Sequence, residues 1–574
     1  MPVATTEVDP MACGNNEAGG RSYRVEVPSR VDGAAIVFQV LEPAQIDCRN
    51  GSPLILQGHG FSGSRTTEAS GEVGMLTEAG YTVISIDQRG HGESGGTVRV
   101  MDPDFEGEDL VQIVDWAEGN LDYLAYRGND LMLGGVGSSY GGGFQYLLYH
   151  VDPDERMDAM VPDITWHNLL YSLNPGDVTK NHWLLFFSGT GDTNTDFGMD
   201  PFIRSSLVDG LLQGRFPEAA LDFFYYHGPG YFMDNSRGVS VFDSGNSQEY
   251  LLDPLTGRVP VTSDGRYIIK TPMADPYPVD VLMFQSTRDT LFPFNDAFDN
   301  YRVYSAAGGD VRLLTHSSGH ELLSPNFGKV QETLASLDFY GGALADGSID
   351  SLSNCGSISK PAATLAWFDE KLRGQGKADD VITTGDQICY TLRPGDAVSA
   401  PRVTVGGQSF PVTGLSGDEG AVTALAGPNP LPTIVELVEL PEDGVIAGIP
   451  TADLSLSLGD EALDSQCMDE GTPLVHLGSC DAILFAGVGV IRAGNPVPEL
   501  IDEQVFPLRG LGRHEVDLTG IAERLETGDR LVLMLYGQHP TFVGAHSRDL
   551  TSYQLQVSGS VRLPLLTPDG QKPL

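Results

Sequence analysis

At 574 residues the chain is too long for one hydrophobic core, and two to four domains are expected. With 41% hydrophobic and 20% charged residues its composition is globular rather than disordered, and no stretch reaches the ~18 consecutive apolar residues of a membrane-spanning helix. The formal charge of −44, from 78 acidic against 34 basic residues, repels nucleic acid and anionic lipid and reads as the solvated acidic surface of an exported or salt-tolerant protein.

Met1–Gly20 has neither a basic start nor an apolar run, so no signal peptide is visible there. Ser22–Arg30 and Ala34–Pro43 alternate apolar and polar residues around Asp32-Gly33, which reads as a β-hairpin. Pro53–Gln57 is a short buried strand running into Gly58-His-Gly-Phe-Ser-Gly63, and Ala69–Ala79 is helical. Tyr81–Ile86 is a second core strand, ending in Asp87-Gln-Arg-Gly-His-Gly-Glu-Ser94, and Glu108–Ala117 reads as an amphipathic helix. A strand from Leu131 then runs into the glycine-rich stretch Gly134–Gly143, and another lies near Met160–Ile164. Strands alternating with helices imply a parallel, doubly wound sheet, whose chemistry sits beyond the carboxyl ends of its strands.

From Trp166 to about Pro278 this rhythm is lost, and aromatic-rich segments such as Trp183–Phe187 and Leu221–His227 read as a cap. Most of these aromatics belong to the cap's own core, and a few line an apolar pocket. The rhythm resumes at Val279–Gln285 and Val311–Thr315, and a helix near Ala362–Leu372 closes the unit. Beyond Ala378 short β-rich runs separated by Gly, Pro and Asp indicate a β-sandwich or jelly roll. The expected organisation is an N-terminal hairpin segment (1–52), an α/β core (53–165 and 279–378), a cap (166–278) and a C-terminal sandwich (379–574).

The six cysteines fall into the local pairs Cys13/Cys48, Cys355/Cys389 and Cys467/Cys480, and none has C-x-x-C spacing. Neighbour pairing into disulfides is the preferred connectivity, implying a secreted or periplasmic protein whose signal peptide has been removed. Six reduced thiols in a cytoplasmic protein is the alternative.

The pattern G-x-S-x-G at Gly137-Ser138-Ser139-Tyr140-Gly141 puts Ser139 at the tip of a nucleophile elbow. A serine hydroxyl needs a base, itself oriented by an acid, and in α/β-hydrolases these follow in the order Ser, Asp or Glu, His. Asp289 follows the strand at Val279–Gln285, and His320 follows the next strand, so both fall on the sheet edge that carries Ser139. His316, at the strand end itself, is the rival base; Gly319 favours His320 by letting the loop turn inward. The oxyanion donors expected are the backbone N–H groups of Tyr140 and Phe61. His59 and His91 do not fit the chain order and read as loop organisers, and Asp87 and Arg89 as groups holding their own turn. His320-Glu321 begins a zinc-type H-E-x-x-H, but Ser324 occupies the second histidine position, so neither metal nor organic cofactor is implied.

The elbow G-S-S-Y-G-G, the D-Q-R-G-H-G-E-S turn and the acid loop T-R-D-T-L-F-P resemble those of the CocE/NonD hydrolases, which include cocaine esterase and the X-Pro dipeptidyl-peptidases. The tail resembles that family's C-terminal jelly roll at Ile446–Pro450, Val516–Leu518 and Arg530–Leu533. The resemblance implies an α/β-hydrolase core, a helical cap, a sandwich walling the site, and acyl transfer through Ser139 with Asp289 and His320. It also implies a small ester or peptide substrate. Phe61 stands where family esterases carry a tyrosine hydroxyl, and the long N-terminal helical domain of the X-Pro peptidases has no counterpart. That second departure favours an esterase; an X-Pro dipeptidyl-peptidase is the alternative, and would want a carboxylate such as Asp222, Asp234 or Glu249 for the substrate amine. A catalytically idle binding scaffold is a third reading. Oligomeric state is not legible.

Overall fold

The structure is a computed structural model, and it describes residues 13, 19–190, 198–233, 276–321, 350–412, 422–424, 431–458, 482–545, 553–566 and 572–573. Its centre is an eleven-stranded mixed sheet. In chain order its strands are β1 (Ser22–Pro28), β2 (Ala35–Leu41), β3 (Leu54–Gly58), β4 (Thr82–Ile86), β5 (Leu133–Ser138), β6 (Met157–Asp163), β7 (Asp280–Ser286), β8 (Val311–His316), β9 (Ile388–Arg393) and β10 (Asp396–Ala400). Across the sheet they lie β1-β2-β4-β3-β5-β6-β7-β8-β9-β10, with Lys572–Pro573 at the far edge. Neighbours from β4 to β9 pair in parallel, and β1/β2, β2/β4 and β9/β10 pair antiparallel.

The near-continuous apolar strand runs follow from burial on both faces. Leu54, Leu56, Ile84, Ile86, Val281, Met283 and Leu313 point to one side. The residues alternating with them, Ile55, Val83, Leu282, Phe284 and Leu314, point to the other. The first layer is covered by α2 (Glu108–Asn120) and α3 (Tyr140–Val151), the second by α1 (Gly71–Glu78) and α10 (Lys360–Lys371). In α10 the buried residues Ala363, Thr364, Trp367 and Phe368 recur at i, i+1, i+4 and i+5, one helical face.

Between β6 and β7 stand α4 (Leu169–Leu173), α5 (Asn181–Thr190), α6 (Pro201–Gln213), α7 (Glu218–Tyr226) and α8 (Pro229–Met233); α9 (Phe294–Ala307) follows β7. Phe223, Phe224, Tyr225 and Tyr226 are all buried, and Phe216 and Phe202 pack on Phe224 and Phe223.

Beyond β10 two antiparallel five-stranded sheets share one core. Phe410, Leu454, Leu456, Val557 and Val561 of one face Leu484, Val488, Leu531 and Leu533 of the other. The strand Ile483–Ile491 is buried along its whole length, because its alternate residues Ile483 and Phe485 pack outward against Val178 of the cap and Phe542. Residues 388–400 belong to the core sheet: Cys389 pairs with Leu314, and Arg393 and Asp396 turn the chain back antiparallel. The antiparallel tail therefore begins later than the change in sequence texture, because a buried parallel-sheet strand and a sandwich strand look alike in composition.

Among the described residues two disulfides are formed, Cys13–Cys48 beside the hairpin and Cys355–Cys389 joining the segment before α10 to β9. Cys467 and Cys480 lie outside the described residues. The Cys355–Cys389 link spans 34 residues, so the double variant Cys355→Ser/Cys389→Ser is expected to lose about 4 kcal/mol in chemical denaturation.

Candidate active site

The turn from β5 to α3 is a strained one. Ser139 sits at φ 58°, ψ −119°, where a β-carbon is poorly tolerated. The glycines around it are required by close approach rather than by flexibility. A β-carbon on Gly141 would lie 2.2 Å from the Gly58 carbonyl oxygen, and one on Gly137 would lie 2.5 Å from the same atom. One on Gly143 would lie 2.4 Å from the Trp166 ring. Helix α3 thereby touches the backbone at the end of β3. The Ser139 N–H donates to the Asp163 carbonyl at 2.9 Å, closing the turn onto β6.

His320 and Asp289 reach Ser139 from the two following strand ends. The Ser139 hydroxyl lies 2.9 Å from His320 Nε2, and His320 Nδ1 lies 2.5 Å from Asp289 Oδ2. With Nδ1–H donated to the carboxylate, Nε2 is the acceptor for the hydroxyl. Asp289 is fully buried, and its Oδ1 accepts the N–H groups of Leu291 (2.9 Å) and Phe292 (2.7 Å). Thr290 holds the His320 carbonyl through both its N–H and its hydroxyl. The imidazole is enclosed edge-to-face by Trp183 and Phe292, with ring centroids 5.8 and 5.1 Å away. A β-carbon on Gly319 would come within 2.9 Å of the Ser286 side chain, so glycine here lets the loop lie against β7.

His316 is engaged elsewhere. Its Nε2 lies 2.7 Å from Asp163 Oδ1, and Asp163 Oδ2 accepts from Ser138 Oγ (2.7 Å) and Lys360 Nζ (2.5 Å). Burial alone would push the Asp163 carboxyl up, but Lys360 and His316 beside it hold it well below the usual carboxylate range. One carboxylate thus ties together the elbow, the strand preceding the His320 loop and the start of α10. Sequence reading missed Asp163; its position at the end of β6, with no helix following directly, was the available signal.

Tyr140 is the first residue of α3, where backbone N–H groups have no partner within the helix. Its hydroxyl accepts from Met101 N–H at 3.3 Å, and the neighbouring Glu106 carboxyl is pushed up to about 8 by burial. Phe61 lies in the turn after β3, closed by Gly63 N–H on Gly60 O, and its ring packs against Tyr140, His91 and Phe187. His59 donates Nδ1–H to the Gly60 carbonyl and accepts Gln88 N–H at Nε2, organising its loop. His91 is buried among these rings, and burial pushes it down to about 3. Asp87 braces its turn through Glu93 N–H and also binds Arg65. Arg89 reaches beyond its own turn: it pairs with Asp109 of α2 and Asp32 of the hairpin, tying the N-terminal hairpin to the core.

The cavity beside Ser139 is almost entirely apolar. Phe61, Val100, Tyr140 and Phe292 line it from the core, and Trp166, Leu169, Leu173, Phe187, Ile203, Leu207 and Phe224 from the cap. Asp234 and Glu249 lie outside the described residues, as does the side chain of Asp222. Among the described residues no cluster of metal-ligating side chains occurs, and no helix is long and apolar enough to cross a membrane.

Because the buried Asp163 carboxylate binds the Lys360 ammonium, the His316 ring and the Ser138 hydroxyl together, Asp163→Ala is expected to cost about 3–5 kcal/mol in urea denaturation. In the parent protein that contribution is present above the ordinary aspartate pKa and is lost as pH falls through the depressed folded-state value.

Residues 32–196 match the profile of the family described as X-Pro dipeptidyl-peptidase (S15 family). Two forms of an uncharacterized 31.7 kDa protein from the traX-finO intergenic region of Escherichia coli are 30% and 33% identical over 198 residues, 33% of this chain. The chain spans 65% of the length of those relatives. Among solved structures, a CocE/NonD family hydrolase from Staphylococcus aureus is 12% identical with a TM-score of 0.53, covering 98% of this chain and 99% of its own. An alpha-amino acid ester hydrolase is 13% identical with a TM-score of 0.52, covering 98% and 100%. An aminopeptidase from the marine sediment archaeon Thaumarchaeota archaeon is 11% identical with a TM-score of 0.54, covering 95% and 96%. Residues 32–196 are thus similar to the S15 family, and the fold is shared over nearly the whole chain with a CocE/NonD family hydrolase and an alpha-amino acid ester hydrolase.

Proposed function

We propose that the protein is a serine hydrolase that cleaves carboxylic esters of apolar acyl groups. The observation that carries this reading is the unbroken relay Ser139–His320–Asp289 opening on an apolar cavity. Ser139 Oγ attacks the acyl carbonyl as its proton passes to His320 Nε2, and the tetrahedral oxyanion is received by the N–H groups of Tyr140 and Phe61. Collapse of that intermediate breaks the ester C–O bond, and the leaving alkoxide takes the proton from His320. Water, deprotonated by the same imidazole, then attacks the acyl-enzyme, which releases the acid and regenerates the Ser139 hydroxyl. Asp289 keeps its charge throughout and stabilises the imidazolium.

The apolar lining supports an ester over an X-Pro dipeptide. A free α-ammonium brought beside Ser139 would lose its hydration without gaining a carboxylate partner among the described lining residues. The family description of the matched segment, X-Pro dipeptidyl-peptidase, favours the peptide, so that activity stands as the second reading. In either case the 1–52 segment, the cap and the tail beyond β10 serve a catalytic core, with the tail folded as a jelly roll. The two disulfides support an oxidising compartment, extracellular or periplasmic.

Wild-type protein is expected to take up a fluorophosphonate probe stoichiometrically, and Ser139→Ala to take up none; equal labelling, or none of either, would reject the serine-hydrolase reading. Turnover of p-nitrophenyl butyrate is expected to exceed that of an Ala-Pro-p-nitroanilide by at least about 100-fold in kcat/KM. Faster cleavage of the anilide, dependent on its free amine, would establish the peptidase instead.

A further inference from the structure

The loop carrying Asp289 is gripped by three separate parts of the molecule. From the core, Gln285 Nε2 donates to the Phe292 carbonyl at 2.8 Å. From the cap, the buried Lys180 ammonium donates to the Leu291 carbonyl at 2.9 Å. From the C-terminal sandwich, Gln504 Nε2 donates to both the Thr287 carbonyl (2.9 Å) and the Asp289 carbonyl (3.0 Å).

The third grip differs from the others in where it acts. The two hydrogens of one amide nitrogen hold carbonyls two residues apart, so the backbone is pinned on either side of Arg288 and at Asp289 itself. Gln504 is only 5% exposed, so little water is at hand to replace either bond. Its own position is braced from behind. It follows the tight turn Ile501–Glu503, in which Asp502 adopts φ 54°, and Asp502 Oδ2 accepts Ala522 N–H at 2.8 Å inside the sandwich. The Asp289 carboxylate has little freedom relative to that backbone, because Oδ1 is held by two N–H groups of its own loop and Oδ2 faces His320. A backbone displacement therefore becomes a carboxylate displacement.

Docking of the sandwich does not by itself require this contact. A second buried amide serves the same interface without touching the acid loop. Asn295, near the start of α9, donates to the Leu518 carbonyl at 3.0 Å and accepts Gly520 N–H at 2.8 Å. We infer that Gln504, supplied by the C-terminal sandwich, is a positioning residue that sets the Asp289 carboxylate against His320; the inference rests on the serine-hydrolase reading above. The sandwich then contributes to the chemistry through one amide rather than only walling the cavity.

The test compares Gln504→Met, which keeps the side-chain shape without its donors, Gln504→Glu, which turns acceptors toward the two carbonyls, and Asn295→Ala. Turnover of p-nitrophenyl butyrate is counted per fluorophosphonate-titrated site, so that only folded enzyme contributes. Both Gln504 variants are expected to lose about tenfold or more in kcat with KM within about twofold, the glutamate at least as much as the methionine. Asn295→Ala is expected to lower the melting temperature while keeping kcat within about twofold of wild type. Wild-type kcat in either Gln504 variant, or an equal loss in Asn295→Ala, would overturn the positioning role while leaving the hydrolase reading intact. Absence of probe uptake by the wild type would instead overturn the reading beneath it.

Discussion

The contact on which the site depends is the one between the backbone of α3 and the end of β3. Ser139 is held in a conformation that costs roughly 1–3 kcal/mol, and it stays there because the chain on both sides is fastened. Its N–H is bound to Asp163 O, its carbonyl accepts from Gly142 and Gly143, and Gly137 and Gly141 lie against the Gly58 carbonyl. Any β-carbon at Gly141 would have to occupy the space of that carbonyl oxygen. The same approach brings the Gly58–Gly63 turn beside the elbow, where the Phe61 ring packs edge-on against Tyr140 with centroids 5.9 Å apart and both line the cavity.

A second constraint is electrostatic. The protein is strongly acidic, yet several of its few cations are spent inside it. Arg99 bonds Asp102 and Asp200, Arg156 bonds Asp152, Asp115 and Glu118, and Arg89 bonds Asp109 and Asp32. Lys360 does the same with Asp163 beneath the elbow, while the Lys180 ammonium donates to the Leu291 carbonyl. A buried carboxylate without a cation would be neutralised or expelled. These pairs therefore decide where loops can dock, and among the described residues no charged side chain lines the cavity beside Ser139. The described wall of that cavity is made of rings and aliphatic chains from both the core and the cap, which is what supports the proposal of an apolar acyl group as substrate.

Much of the core was legible along the chain. Runs such as Leu54–Gly58, Thr82–Ile86 and Val311–His316 declare themselves as strands buried on both faces, and the glycines around Ser139 announce a turn with no room for side chains. Other features were not legible. Nothing in the composition of 388–400 distinguishes a core strand from a sandwich strand. Which of His316 and His320 faces the serine depends on Asp163, a residue 153 positions away from His316 in sequence. Arg89 reads as a local turn residue and is in fact the link to Asp109 and Asp32.

What the sequence by itself determined is local. Steric demands at Gly137-Ser138-Ser139-Tyr140-Gly141, the apolar runs of the strands and the order of Ser139, Asp289 and His320 along the chain are written in neighbouring residues. What only the tertiary structure decided is who meets whom across long separations. His320 comes to lie beside a serine 181 residues away, and Gln504 reaches an acid loop 215 residues before it. The physical reason is that strand and turn preferences act over a few residues of backbone. A hydrogen bond between distant loops exists only once the sheet, the cap and the sandwich have excluded water from around it.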